Sequence, residues 1–117
     1  MQIFEYLNQL RAFERRHFPF VHTIEDLDII NLIGLHQERG VILTLKQILS
    51  FNIGSVATLE RRLARLKRLG VVVQTRSHID KRNVELKLSP KINRLYQRYS
   101  ALVQSSHFAF GGEQASE

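Results

Sequence analysis

The chain is 117 residues long, 44% hydrophobic and 24% charged, with a formal net charge of +6 and no cysteine. This length suits one domain that buries roughly two thirds of its unfolded surface, and the apolar share excludes a disordered chain. The absence of cysteine excludes a disulfide framework and a thiolate metal site, and fits a reducing cytoplasm.

Residues 1–5 lack the basic-then-apolar pattern of a signal peptide. The longest apolar stretch, over residues 27–35, is broken by Asp28, Asn31 and Gly34 and is too short to cross a membrane. The net charge hides a division. Residues 44–99 hold thirteen Lys or Arg against Glu60, Asp80 and Glu85, a net of +10. The remainder holds four Arg against eight acids, a net of −4. A polyanion partner on the basic side is the simplest reading.

In chain order, residues 2–17 predict a helix with a wide apolar face of Ile3, Phe4, Tyr6, Leu7, Leu10 and Phe13, ended before Pro19. The aromatics of Phe18-Pro19-Phe20 are expected to plug the core. Thr23 then caps a second helix over 24–38. It has Glu25 and Asp26 in the first turn, where the helix dipole favours acids, and is apolar on nearly every side, as a central buried helix would be. Gly40 suits a left-handed stop. Residues 41–43 form a short strand able to pair with a later hairpin.

Thr44 caps a short helix to about residue 50, and Asn52-Ile53-Gly54 makes a turn. Ser55 then caps a helix through residue 69, which Gly70 stops. On that helix Val56, Leu59, Leu63 and Leu66 form the expected inner face. Thr58, Arg61, Arg62 and Arg65, at i, i+3, i+4 and i+7, form the expected outer one. Strands over 71–76 and 83–88 flank a charged hairpin tip. Ser89 and Pro90 start a final helix to about residue 104, with Ile92, Leu95, Tyr99 and Leu102 on one side. Residues 105–117, with two glycines and no period, read as a flexible tail.

An arginine-rich helix followed by a basic hairpin suits a DNA duplex: the helix enters the major groove while the hairpin reaches the neighbouring backbone or minor groove. The candidate DNA-binding residues on the helix are Ser55, Ala57, Thr58, Arg61, Arg62 and Arg65. Thr58 and Arg61 would approach base edges and Arg62 and Arg65 would hold phosphates. On the hairpin the candidates are Arg76, His78, Asp80, Lys81, Arg82 and Asn83, with the lone acid Asp80 bracing Arg82. His17, His22, His36, His78 and His107 are scattered over separate segments, so no metal site is expected. No nucleophile motif, phosphate loop or paired-carboxylate arrangement points to an enzyme or a cofactor.

The stretch from about residue 43 to 103 resembles the winged helix-turn-helix of the MarR family of bacterial transcriptional regulators. The resemblance rests on Leu63, Leu66, Leu69, Gly70 and Val71 at the end of the recognition helix, and on Arg76 on the first wing strand. It continues through Asp80-Lys81-Arg82 at the wing tip and the run from Val84 to Pro90. It implies that Arg82 reaches the minor groove while Asp80 braces the turn, that the terminal helices build a dimer, and that a small-molecule effector is possible.

The expected architecture is mainly α with a small β-wing: a single winged-helix domain over residues 1–104. Its DNA-binding lobe covers about 41–89, with the recognition helix at 55–69 and the wing at 76–83. Its dimerisation helices lie at 2–17 and 90–104, with Phe4, Leu7, Leu10, Ile92, Leu95, Tyr99 and Leu102 as the candidate interface. The expected function is sequence-specific binding of double-stranded DNA by a cytoplasmic homodimeric regulator, more often a repressor. The rival reading is a winged-helix protein-interaction module, or a replication or segregation factor of a mobile element. An interaction module would carry apolar residues where Arg61, Arg62 and Arg65 stand.

Overall fold

The computed structural model describes residues 2–115, with side chains described for residues 2–105. Among these, five α-helices and three strands run in the order α1 (Ile3–His17), α2 (Ile24–Glu38), β1 (Leu43–Thr44), α3 (Leu45–Ile48), α4 (Val56–Arg68), β2 (Val72–Arg76), β3 (Val84–Leu88) and α5 (Pro90–Ala115). A 3-10 turn, Leu49–Phe51, follows α3. The strands form one antiparallel sheet in the order β1-β3-β2. This is a winged helix-turn-helix, mainly α with a small β-wing. The chain forms two compact units, one of residues 20–90 and one that combines residues up to 19 with those from 91 onward.

The first unit is built around α2. Ile29, Ile30 and Ile33 are each at most 1% exposed, and the core also takes Ile48 of α3, Leu59, Leu63 and Leu66 of α4, and Leu43, Val72, Leu86 and Leu88 of the sheet. Capping boxes start both α2 and α3. Thr23 pairs with Asp26 and Thr44 with Gln47, each satisfying backbone N–H groups that a helix start leaves open. Asn52 (φ 57°) and Gly54 (φ 61°) turn the chain between the 3-10 turn and α4 in left-handed conformations, which asparagine and glycine adopt most readily.

The sheet explains why the hairpin projects. Leu43 pairs with Leu86 and Val72 with Leu88 at its base. Beyond Val72 every residue of β2 is exposed, so the hairpin leaves the core as an arm. Its ladder continues through Arg76 opposite Val84.

The second unit holds α1 and α5. Phe18, 5% exposed, stacks on Tyr96 with ring centroids 4.8 Å apart and planes 12° apart. Phe13 and Tyr99 both lie against Phe18, at 5.7 and 5.4 Å. The Tyr99 hydroxyl donates to Glu14 Oε2 at 2.8 Å. Burial pushes the Tyr96 hydroxyl up to about 12, with the Glu14 charge adding to it.

Three expectations need correction. The helix expected to end near residue 104 continues to Ala115. Glycine within a helix costs about 1 kcal/mol relative to alanine but removes no backbone donor, so Gly111 and Gly112 weaken a helix without stopping it. Of the tail expected at 105–117, residues 116 and 117 lie outside the described residues. Val56, expected inside, is 56% exposed, and α2 is not buried all round: Ile24 is 70% and Leu35 38% exposed.

Candidate nucleic-acid interface

α4 begins at Ser55, whose hydroxyl accepts from the Thr58 backbone N–H at 3.1 Å and donates to the Thr58 hydroxyl at 2.9 Å. Leu59, Leu63 and Leu66 pin one side of the helix into the core. At about 100° per residue, the side opposite those leucines carries Ala57, Arg61, Ala64 and Arg68. All four are exposed. Two small residues alternating with two arginines leave a narrow helical edge with free guanidinium groups, a shape and charge that fit a major groove.

Arg62 and Arg65 are elsewhere. On the same count Arg62 stands only about 60° from the leucine stripe and Arg65 about 120°. Arg62 Nε donates to Asp26 Oδ1 at 2.8 Å, and Arg62 Nη2 donates to Oδ2 at 2.6 Å. Arg65 Nη1 donates to the Phe20 carbonyl at 2.7 Å and reaches Asp26 Oδ2 at 3.4 Å, while its Nη2 lies 3.0 Å from His22 Nε2. Their side chains keep only 18% and 16% exposure. The expectation that they hold phosphates is therefore corrected: both are turned inward, because a buried carboxylate lies within reach and a buried charge must be paired.

That carboxylate is the centre of the site's scaffold. Asp26 is fully buried, and its Oδ2 also accepts the backbone N–H groups of His22 at 2.9 Å and Thr23 at 3.1 Å. Burial by itself would raise its pKa. The Arg62 hydrogen bonds, the two backbone donors and the Arg62 charge outweigh burial and bring it down to about 2. Asp26, expected only to favour the helix dipole, thus clamps the start of α2 to the middle of α4. Composition could not reveal it, because an acid in a first helical turn is ordinarily solvated. Ala64 and Arg68 join the outer face only when it is taken opposite the leucines, since the i, i+3, i+4, i+7 spacing from Thr58 passes them by.

At the wing the turn is held by its own polar groups. Ser77 Oγ accepts the backbone N–H groups of Ile79 and Asp80, both at 3.2 Å. The Asn83 N–H donates to the Asp80 carbonyl at 2.9 Å, and Arg76 Nη1 donates to the Lys81 carbonyl at 2.9 Å. Asp80 Oδ1 accepts from the Arg82 backbone N–H at 3.0 Å and from Arg82 Nε at 3.3 Å. The Arg82 side chain remains 92% exposed. His78, Lys81 and Asn83 are exposed as well.

The expected interface residues divide. Phe4 is 75% and Leu7 43% exposed, with Ile3 beside them at 51%. Leu10, Leu95 and Leu102 are half-buried. Ile92 is 4% exposed, and Tyr99 sits in the aromatic cluster with its hydroxyl on Glu14. Ile92 therefore has little surface left to offer a partner, whereas Tyr99 keeps intermediate exposure. Among the described residues no three His, Asp or Glu side chains gather as metal ligands, and no helix is long and apolar enough to cross a membrane.

By sequence the chain matches no family model and no curated protein. Its structure matches several solved ones. The S. aureus MepR–DNA complex superposes with a TM-score of 0.70 at 16% identity, over 95% of this chain and 79% of that one. NadR in complex with 4-hydroxyphenylacetate gives 0.63 at 24% identity, over 94% and 73%. The transcriptional regulator PA4135 gives 0.60 at 19% identity, over 96% and 80%. The chain shares the winged helix-turn-helix fold of these proteins.

Proposed function

We propose that this protein binds double-stranded DNA sequence-specifically as a homodimeric, cytoplasmic transcriptional regulator, acting as a repressor by occupying its site. The observation that carries the reading is the exposed Arg61–Arg68 edge of α4, held in place by Asp26 and standing in one compact unit with a wing of exposed cations. Arg61 would pair with guanine in the major groove, with Ser55, Ala57 and Thr58 near it at the helix start. Arg82 would enter the minor groove, and Arg76, His78, Lys81 and Asn83 would follow the backbone. Arg62 and Arg65 serve as struts that set the angle of α4. The likeness to a regulator solved on DNA supports this reading.

The dimer would form through Phe4, Leu7, Leu10, Leu95 and Leu102, placing two copies of α4 about one duplex turn apart. NadR was solved with a small carboxylate-bearing aromatic compound, and a small-molecule effector is part of the proposal here. No feature of the site calls for an enzyme or a cofactor. The arginine edge also disfavours a protein-interaction module, which would present apolar residues at those positions.

Selection of bound sequences from a random duplex pool, followed by affinity measurements across salt, tests the reading. Some six to ten phosphates neutralised per dimer should lower affinity by roughly 10³- to 10⁵-fold between 50 and 200 mM salt. Failure to enrich any sequence, or a flat salt dependence, would overturn it.

A further inference from the structure

The apex of the wing carries a residue that no role in the fold accounts for. Ile79 is 99% exposed, the most exposed of the large apolar side chains among the described residues, and none of those residues covers it. Turn chemistry does not call for it either. Hairpin turns favour Gly, Asn, Asp and Ser, and a β-branched apolar residue is among the least suited to such a place. The backbone around it is nonetheless built. Ser77 Oγ holds the Ile79 and Asp80 N–H groups, the Asp80 carbonyl takes the Asn83 N–H, and Arg76 ties down the Lys81 carbonyl. The tip is thus a braced turn that presents one aliphatic side chain outward. Two exposed cations, Lys81 and Arg82, and the exposed His78 flank it.

A lone exposed isoleucine on a broad surface would need no explanation. This one stands at the end of a projecting cationic arm, where the surrounding charge selects a polyanion and the aliphatic tip selects an apolar surface within it. Duplex DNA offers both at one place: phosphates line the minor groove, base edges form its floor, and opening a step there uncovers the apolar base faces. Aliphatic side chains inserted between base steps from the minor groove unstack them and kink the duplex toward the major groove.

Resting on the proposed DNA reading, we infer that Ile79 is an apolar wedge that enters the minor groove beside Arg82, opens one base step and bends the bound duplex. Pyrimidine–purine steps unstack most easily, so the wedge would make such a step part of the recognised site without any hydrogen bond to a base. It adds shape selection at the wing to base reading by α4.

The test uses the full chain and the tightest-binding duplex recovered by selection from a random pool. End-to-end distance in the complex is read by fluorescence energy transfer, and affinity by titration, for wild type, Ile79→Ser and Ile79→Leu. Because Ile79 touches nothing in the fold, all three should melt at the same temperature. Wild type and Ile79→Leu should bend the duplex by some tens of degrees. Ile79→Ser should leave it nearly straight and bind roughly tenfold more weakly. Replacing the pyrimidine–purine step under the wing by a stiff A-tract should weaken the wild type relative to Ile79→Ser, since both keep Arg82 in the groove and only the wild type must open the step.

A wild type that binds without bending the duplex, or an Ile79→Ser variant that binds and bends like wild type, overturns the wedge while leaving the DNA-binding reading intact. A wild type that binds no duplex overturns both.

Discussion

Arg62 and Asp26 form a two-point contact across 36 positions of sequence, with Nε on Oδ1 at 2.8 Å and Nη2 on Oδ2 at 2.6 Å. A paired guanidinium–carboxylate fork fixes direction as well as distance. The start of α2 and the middle of α4 are therefore held in one orientation, and that orientation turns Arg61 and Arg68 outward. Because the carboxylate is wholly buried, the contact also ties stability to pH. The Asp26 pKa falls from 3.8 to about 2 in the folded chain, so its contribution is complete above about pH 4 and drains away as pH falls toward 2. It amounts to something on the order of 2 kcal/mol. Urea unfolding between pH 2 and 6 should show this loss, and Asp26→Asn should flatten it.

Removing one partner of this pair should cost more than its titration, because the other charge is left buried. Asp26→Ala should lose about 3–5 kcal/mol of folding stability, read from the urea midpoint at neutral pH. A loss below about 1 kcal/mol would show that Arg62 finds water or another acceptor.

Two adjacent arginines should behave as different kinds of residue. Arg61→Ala should leave the urea midpoint unchanged and cost roughly 1–3 kcal/mol on the best DNA site, with relaxed preference at one base position. Arg62→Ala should lower stability, and its effect on DNA should shrink where the protein remains folded. Arg68→Ala should weaken all sequences alike and reduce the salt slope by about 1. Equal stability losses at residues 61 and 62 would contradict the orientation of α4.

For the wing the sign of one effect is decisive. Asp80→Ala deletes an acid from a cationic tip, and electrostatics alone would tighten DNA binding. The hydrogen bonds from Arg82 to Asp80 say the opposite: without the carboxylate Arg82 is no longer oriented, and affinity should fall by part of the Arg82→Ala loss. Titration of both variants on one duplex checks this, and tighter binding by Asp80→Ala would reduce the wing to a general positive patch.

The terminal helices give two further outcomes. Wild type should sediment as the proposed dimer, and Leu7→Glu, on an exposed site of α1, should yield folded monomer. Tyr99→Phe should keep the dimer but lose about 1–2 kcal/mol of stability with its bond to Glu14. In alkaline titration burial holds the Tyr96 proton up to about 12, and burial together with Glu14 holds the Tyr99 proton well above the ordinary phenol range. Stability should therefore be intact below pH 10 and fall as the pH rises above it, because only the unfolded phenols ionise there.

Local chemistry was readable from the residues alone. Thr23, Thr44 and Ser55 mark helix starts through hydroxyls that act within three residues, and Gly70 (φ 73°) marks a stop that few other residues permit. The alternation that buries Leu86 and Leu88 and exposes Lys87, and the Asp80–Arg82 brace, are also local, so the sheet pairing and the wing could be anticipated. What tertiary structure decided was which charges are free. Arg62 and Arg65 look like Arg61 in sequence, and only the arrival of Asp26 from 36 and 39 positions away turns them into struts. The same holds for Ile92, which shares an apolar stripe with Leu95 and Leu102 in sequence and is 4% exposed in the fold. Helix periodicity reports the face a side chain leaves from, whereas its partner is set by which distant segment packs there. A buried charge must find a counter-charge, and the fold alone brings one within reach.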